Sequence, residues 1–188
     1  MTRSLEELRC FVEKHPACSD SLIRQWAGSD PGSVLAQEFA RQYHAFRRAV
    51  RWVDMRLRGS DNAWRTLLNA SCADGLPWEQ ALPSTRAACE GIQRLGSWGQ
   101  TREGVLWALE EVTTNWAHAW CRGHADGGQA EQASGYWKQL LEVPRWVREP
   151  DPSHPDLSQW KVGFQGALDS LAGFWIGIGL AVKRTPAA

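Results

Sequence analysis

The sequence predicts a single all-α domain. Three observations predict it: apolar residues recur at three- and four-residue steps along most of the chain, no stretch alternates in the manner of a strand, and capping residues, Gly and Pro bound the periodic runs. A chain of 188 residues suits one domain. At that length about 70% of the unfolded surface can be buried, so no disulfide or metal staple is needed.

The elements follow in order. Ser4 to His15 reads as a first helix, with Ser4 and Glu7 at capping-box spacing, and it stops at Pro16. A short helix over Ser19–Ala27 leads to the turn Gly28-Ser-Asp-Pro-Gly32. Ser33 opens a long helix to Arg58, and Asp61–Cys72, Pro83–Leu95 and Thr101–Arg122 read as the next three. Small polar residues over Gly123–Gly135 predict a mobile loop. Tyr136–Glu142 reads as a short helix, and the four prolines between Val143 and Pro155 force an extended arm. A last helix runs from Asp156 to Lys183. About six main helices are expected around it.

Composition narrows the function classes. The 21 basic and 21 acidic residues cancel, so wholesale polyanion binding is excluded and any such role needs a local patch. The five cysteines, Cys10, Cys18, Cys72, Cys89 and Cys121, are odd in number and show no CxxC spacing. Free thiols in a reducing compartment, hence a cytoplasmic location, are expected. The N-terminal Met-Thr-Arg-Ser-Leu-Glu-Glu-Leu has no apolar run, so no secretory signal is expected. The longest uncharged stretch, Ser170 to Val182, is shorter than the roughly 20 residues of a membrane span. The twelve tryptophans, against two tyrosines, require something large to be packed: the protein's own core, a ligand or a partner.

The long helix carries two opposed stripes. Leu35, Phe39, Tyr43, Phe46, Val50, Val53 and Leu57 form the apolar one. Arg41, His44, Arg48, Arg51 and Arg58 lie roughly opposite, flanked by Arg47 and Trp52. This face is either solvated or a docking surface for acidic protein or phosphate, which the arginine fork suits and Trp52 could extend by stacking.

The sixth helix shows a similar division. Val105, Leu109, Val112, Trp116 and Trp120 form its apolar stripe, while Trp107, Glu111, Thr114, His118 and Cys121 are expected on a partly exposed face. Glu111 and His118 are candidates for acid–base chemistry, although neither ExxH nor HxxxH spacing occurs on this helix.

The last helix is the most informative. Leu157, Trp160, Phe164, Leu168, Leu171, Trp175, Ile178 and Val182 form its main stripe, beside a second stripe of Gly163, Gly166, Ser170, Gly173 and Gly177. Each helical glycine costs about 0.5–1 kcal/mol relative to alanine, so close approach of a backbone or ligand must compensate. The remaining face holds Val162, Ile176 and Leu180, and an all-round apolar helix is expected to be buried. Asp169 on that face is then a buried carboxylate, expected to pair with an arginine or to be functional. Trp107, Trp116, Trp175, Gly166 and Gly173 are the candidate walls of an internal pocket.

No GxxxxGK[ST], GxGxxG or GxSxG motif occurs, and no metal site or cofactor is indicated. Glu149-Pro-Asp-Pro-Ser-His154 resembles, in composition, the Glu-Pro-x-Asp-His signature of helical chaperones that mature molybdoenzymes. Asp151 and His154 are not adjacent, so no function is carried over. The leading expectation is a non-catalytic binding or accessory subunit of a larger protein assembly. The alternatives are a small helical-bundle enzyme or cofactor- or apolar-ligand-binding protein using Glu111, His118 and Asp169, and a nucleic-acid-contacting subunit using the basic face.

Overall fold

The computed structural model describes residues 5–49, 76–97, 99–124 and 157–184, with residues 5, 48, 49 and 100 described by backbone alone. Six helices of seven residues or more occur among them, and no strand does. They are α1 (Leu5–Lys14), α3 (Ser21–Ala27), α4 (Val34–Ala49), α5 (Pro83–Gly96), α6 (Gly99–Gly123) and α7 (Leu157–Arg184), with a single turn, α2 (Pro16–Ser19), after α1. The chain is an all-α bundle in which α7 packs chiefly on α6 and α5. The expected helix over Asp61–Cys72, the second half of the long helix, the short helix over 136–142 and the Pro-rich arm lie outside the described residues. So do Ser4 and nearly all of the expected loop.

Local chemistry sets the boundaries. His15 ends α1 and caps α2, its Nδ1 accepting from the Ala17 amide at 3.2 Å, with Pro16 in the first helical position. Asp20 caps α3 by accepting from Leu22 N at 2.7 Å. In the following turn Asp30 accepts from Gly32 N at 2.7 Å, and Ser33 accepts from Ala36 N at 3.2 Å to open α4. The α5 terminus has no cap of its own. Gln42 of α4 supplies it, Oε1 accepting from Leu82 N at 2.9 Å and from the Thr85 hydroxyl at 2.7 Å.

Tryptophan fills the interior. Trp26, Trp107, Trp116, Trp120, Trp160 and Trp175 are all buried. Trp26 stands 4.4 Å from Phe39, 4.8 Å from Trp120 and 5.5 Å from Trp175 between ring centroids, and Phe39 stacks on Trp175 at 4.8 Å. Aromatic pairs at these distances add stabilisation beyond area burial. Trp116 also ties α6 to the α2 turn, its Nε1 donating to the Ala17 carbonyl at 2.7 Å. Of the seven tryptophans among the described residues, six therefore serve the chain's own core and Trp78 is exposed.

Two expectations about helix faces are corrected. On α6, Trp107 and Glu111 are buried, not partly exposed, because α1, α2 and α3 cover the side opposite α7 and α5. On α7, the third face is not buried: Val162, Ile176 and Leu180 are 59%, 58% and 52% exposed. The neighbouring helices cover only the main stripe and its flanks. By length and composition α7 could cross a membrane, since such a window tolerates the few charges that interrupt its uncharged run. In this fold Trp160, Phe164, Leu168, Leu171, Phe174, Trp175 and Ile178 of α7 form the core.

Candidate functional site

The sequence-derived acid–base set does not assemble. Glu111 is buried on α6 and pairs with Arg9 of α1, Nε to Oε1 3.3 Å. His118, two turns along the same helix, is exposed. Asp169 is not buried, and it pairs with no arginine among the described residues. Its side chain is 63% exposed and its Oδ1 lies 3.3 Å from His15 Nε2, where it also accepts from Gln165 Nε2 at 3.1 Å. The reason is the open third face of α7, on which Asp169 stands. Because His15 Nδ1 accepts from Ala17, Nε2 is the nitrogen that donates to Asp169 in the neutral ring. Both ring nitrogens are thus committed to structure.

The expected pocket walls are core residues. Trp116 and Trp175 are fully buried and meet edge to face at 5.4 Å, and Trp107 packs on Trp160 and Phe164 at 5.7 and 5.3 Å. The indole N–H groups of Trp120 and Trp175 are buried without a hydrogen-bond partner among the described residues. Cys18 and Cys89 are free thiols whose pKa values burial pushes up to about 12, with Glu13 and Glu111 adding to the effect at Cys18 and Glu90 at Cys89. Such thiols are protonated and poor nucleophiles.

Of the basic face, three side chains fall within the described residues. Arg41 is exposed and pairs with Glu38 at 3.3 Å, while His44 and Arg47 are half-buried. The side chain of Arg48, and Arg51, Trp52 and Arg58 entirely, lie outside.

The small-residue stripe divides by position. A side chain at Gly163 would strike the Thr101 carbonyl of α6, one at Gly177 would strike Ser84 of α5, and one at Gly166 would come within 2.5 Å of Leu95 Cδ1. At Gly173 nothing among the described residues lies within 4 Å. Gly173 sits on the same side of α7 as Asp169, Ile176 and Leu180, at helical spacings of four, three and seven. The sequence pattern places Gly173 on a pocket wall. It gives no sign that this glycine opens outward, on a face that is apolar and uncovered.

No family model matches the chain, and no curated protein matches it in sequence.

Proposed function

We propose that the chain is a non-catalytic helical binding subunit, cytoplasmic in location, that docks into a larger protein assembly through the open face of α7. One observation carries this reading: Val162, Ile176 and Leu180 are exposed on the helix that also forms the core. Apolar side chains grouped on one rigid helix mark interaction surfaces more often than scattered ones do. A rigid platform also binds with little ordering cost. The free thiols Cys10, Cys18 and Cys89 support a reducing compartment.

The test is the size of the protein in native extract. It should elute well above its own 21.1 kDa, and Ile176→Asp should abolish that shift while leaving Tm within a degree or two, since the side chain it replaces is exposed. Elution of the unaltered protein as a monomer overturns the reading. The small-ligand alternative is favoured by one observation, the buried indole N–H groups of Trp120 and Trp175, which have no hydrogen-bond partner among the described residues. Native mass spectrometry of protein from its host, showing added mass lost on Trp175→Phe, would favour that alternative.

A further inference from the structure

The open face of α7 has an internal symmetry about Ile176. Gly173 and Gly179 lie three residues to either side, Ala172 and Leu180 four, and Asp169 and Lys183 seven. Spacings of three, four and seven are those that keep residues on one side of a helix. If a second α7 lay antiparallel across the first, with a twofold axis at Ile176, each residue would meet its counterpart across the axis. Leu180 would fall beside the open Gly173 and the half-buried Ala172, and the acid Asp169 would meet the base Lys183 twice. In register, charge and volume, this half of the face is complementary to itself.

Three observations in the single chain bear on this pairing. Gly173 carries the helical cost of a glycine with no atom of the described residues within 4 Å of where its side chain would be, unlike Gly163, Gly166 and Gly177. Asp169 is held by His15 and Gln165 through Oδ1, which orients the carboxylate and leaves Oδ2 open to a further donor. Lys183 is exposed and has no acidic partner among the described residues. Gly179 abuts Leu22 of α3, which sets one edge of the contact.

We infer that the occupant of this face is a second copy of the chain, forming a twofold antiparallel α7 pair centred on Ile176 with reciprocal Asp169–Lys183 ion pairs. This rests on the reading of the α7 face as a docking surface and names its partner. Small residues at a helix crossing let the axes approach closely, and the flanking ion pairs fix register. Val162 lies about two helical turns before Asp169, outside the segment that the ion pairs bound, and contributes nothing to it.

The test uses the full chain, purified alone, in sedimentation equilibrium. The expected result is a concentration-dependent dimer of twice 21.1 kDa. Asp169→Lys alone and Lys183→Asp alone should each weaken it by about tenfold or more, since each creates two like-charge contacts. An equimolar mixture of these two variants should dimerise as the unaltered protein does, because every cross-axis pair is then attractive. Ile176→Cys should cross-link to itself under mild oxidation, and Val162→Cys should not. A protein that stays monomeric at every concentration overturns the inference, as does a dimer that survives Ile176→Asp or fails to recover in the mixture. A large native assembly beside a monomeric purified chain sinks the self-pairing alone and leaves the docking reading standing; a monomer in both sinks both.

Discussion

Gly104 and Gly163 pack the two longest of the described helices backbone to backbone: a side chain at Gly104 would strike the Trp160 carbonyl, and one at Gly163 would strike the Thr101 carbonyl. The pair is reciprocal, so neither helix can retreat without losing the other contact. Gly104→Ala or Gly163→Ala gains about 1 kcal/mol of helix propensity. Against that, the obstructing atoms are main chain and cannot swing aside. Overpacking costs about 1–3 kcal/mol where side chains can adjust, and more where they cannot. Both variants should therefore lose about 2 kcal/mol or more in urea unfolding. A gain at either position would show that α6 and α7 do not cross at these residues.

Gly173 should behave in the opposite way. Nothing among the described residues lies within 4 Å of the position its side chain would take, so Gly173→Ala keeps the propensity gain without a clash. At concentrations where the chain is monomeric, stability should rise by about 0.5–1 kcal/mol. Gly166→Ala should lie between, because the atom in its way is the flexible end of Leu95 at 2.5 Å. Thermal unfolding of the three variants side by side checks the order, and a destabilised Gly173→Ala would mean that its face is covered within the monomer.

How much of this is legible in the sequence depends on which face of a helix is asked about. The apolar stripe of α6, Val105 to Trp120, and the main stripe of α7, Trp160 to Ile178, are readable because burial imposes a period on them. The start of α5 at Pro83 is readable from its proline, yet the side chain that caps it is Gln42, about forty residues away, and no local signal announces that. The errors share one cause. Whether a helix has neighbours on two sides or three is a tertiary fact. Glu111 and Trp107 look exposed from their spacing and are covered by α1–α3; Ile176 and Leu180 look buried from their chemistry and face outward. Asp169 inherits the second error, and its partner His15 lies at the far end of the sequence.

The Arg9–Glu111 pair gives an asymmetric prediction. Glu111 is buried, whereas Arg9 is more than one-third exposed. Removing Arg9 leaves a buried carboxylate with one fewer hydrogen bond, which costs about 1–3 kcal/mol. Glu111→Gln leaves Arg9 able to turn to water and keeps the shape of the buried side chain, so its cost should be under about 1 kcal/mol. Chemical unfolding of Arg9→Ala and Glu111→Gln checks the order. If the amide is the worse of the two, the carboxylate's charge serves more than this ion pair.

Stability should fall above pH 9, and two thiols set much of the slope. Burial raises the pKa of Cys18 and Cys89 from the ordinary 9.0 to about 12. Between these values the unfolded chain releases both protons and the folded chain keeps them. The unfolded state then binds fewer protons, so each thiol lowers stability by about 1.4 kcal/mol per pH unit. Below pH 9 both states hold the protons, and the thiols contribute no slope. Lysines and tyrosines also titrate in the alkaline range, so the measurement is a comparison of variants. Urea unfolding of the unaltered protein and of Cys89→Ala should give curves whose separation is constant from pH 7 to 8.5. It should shrink steadily from pH 9 to 10.5, because the variant lacks one of the two titrating sulfurs. A separation that stays constant through pH 10.5 would mean that the folded Cys89 thiol ionises as readily as the unfolded one, and that its sulfur is open to water.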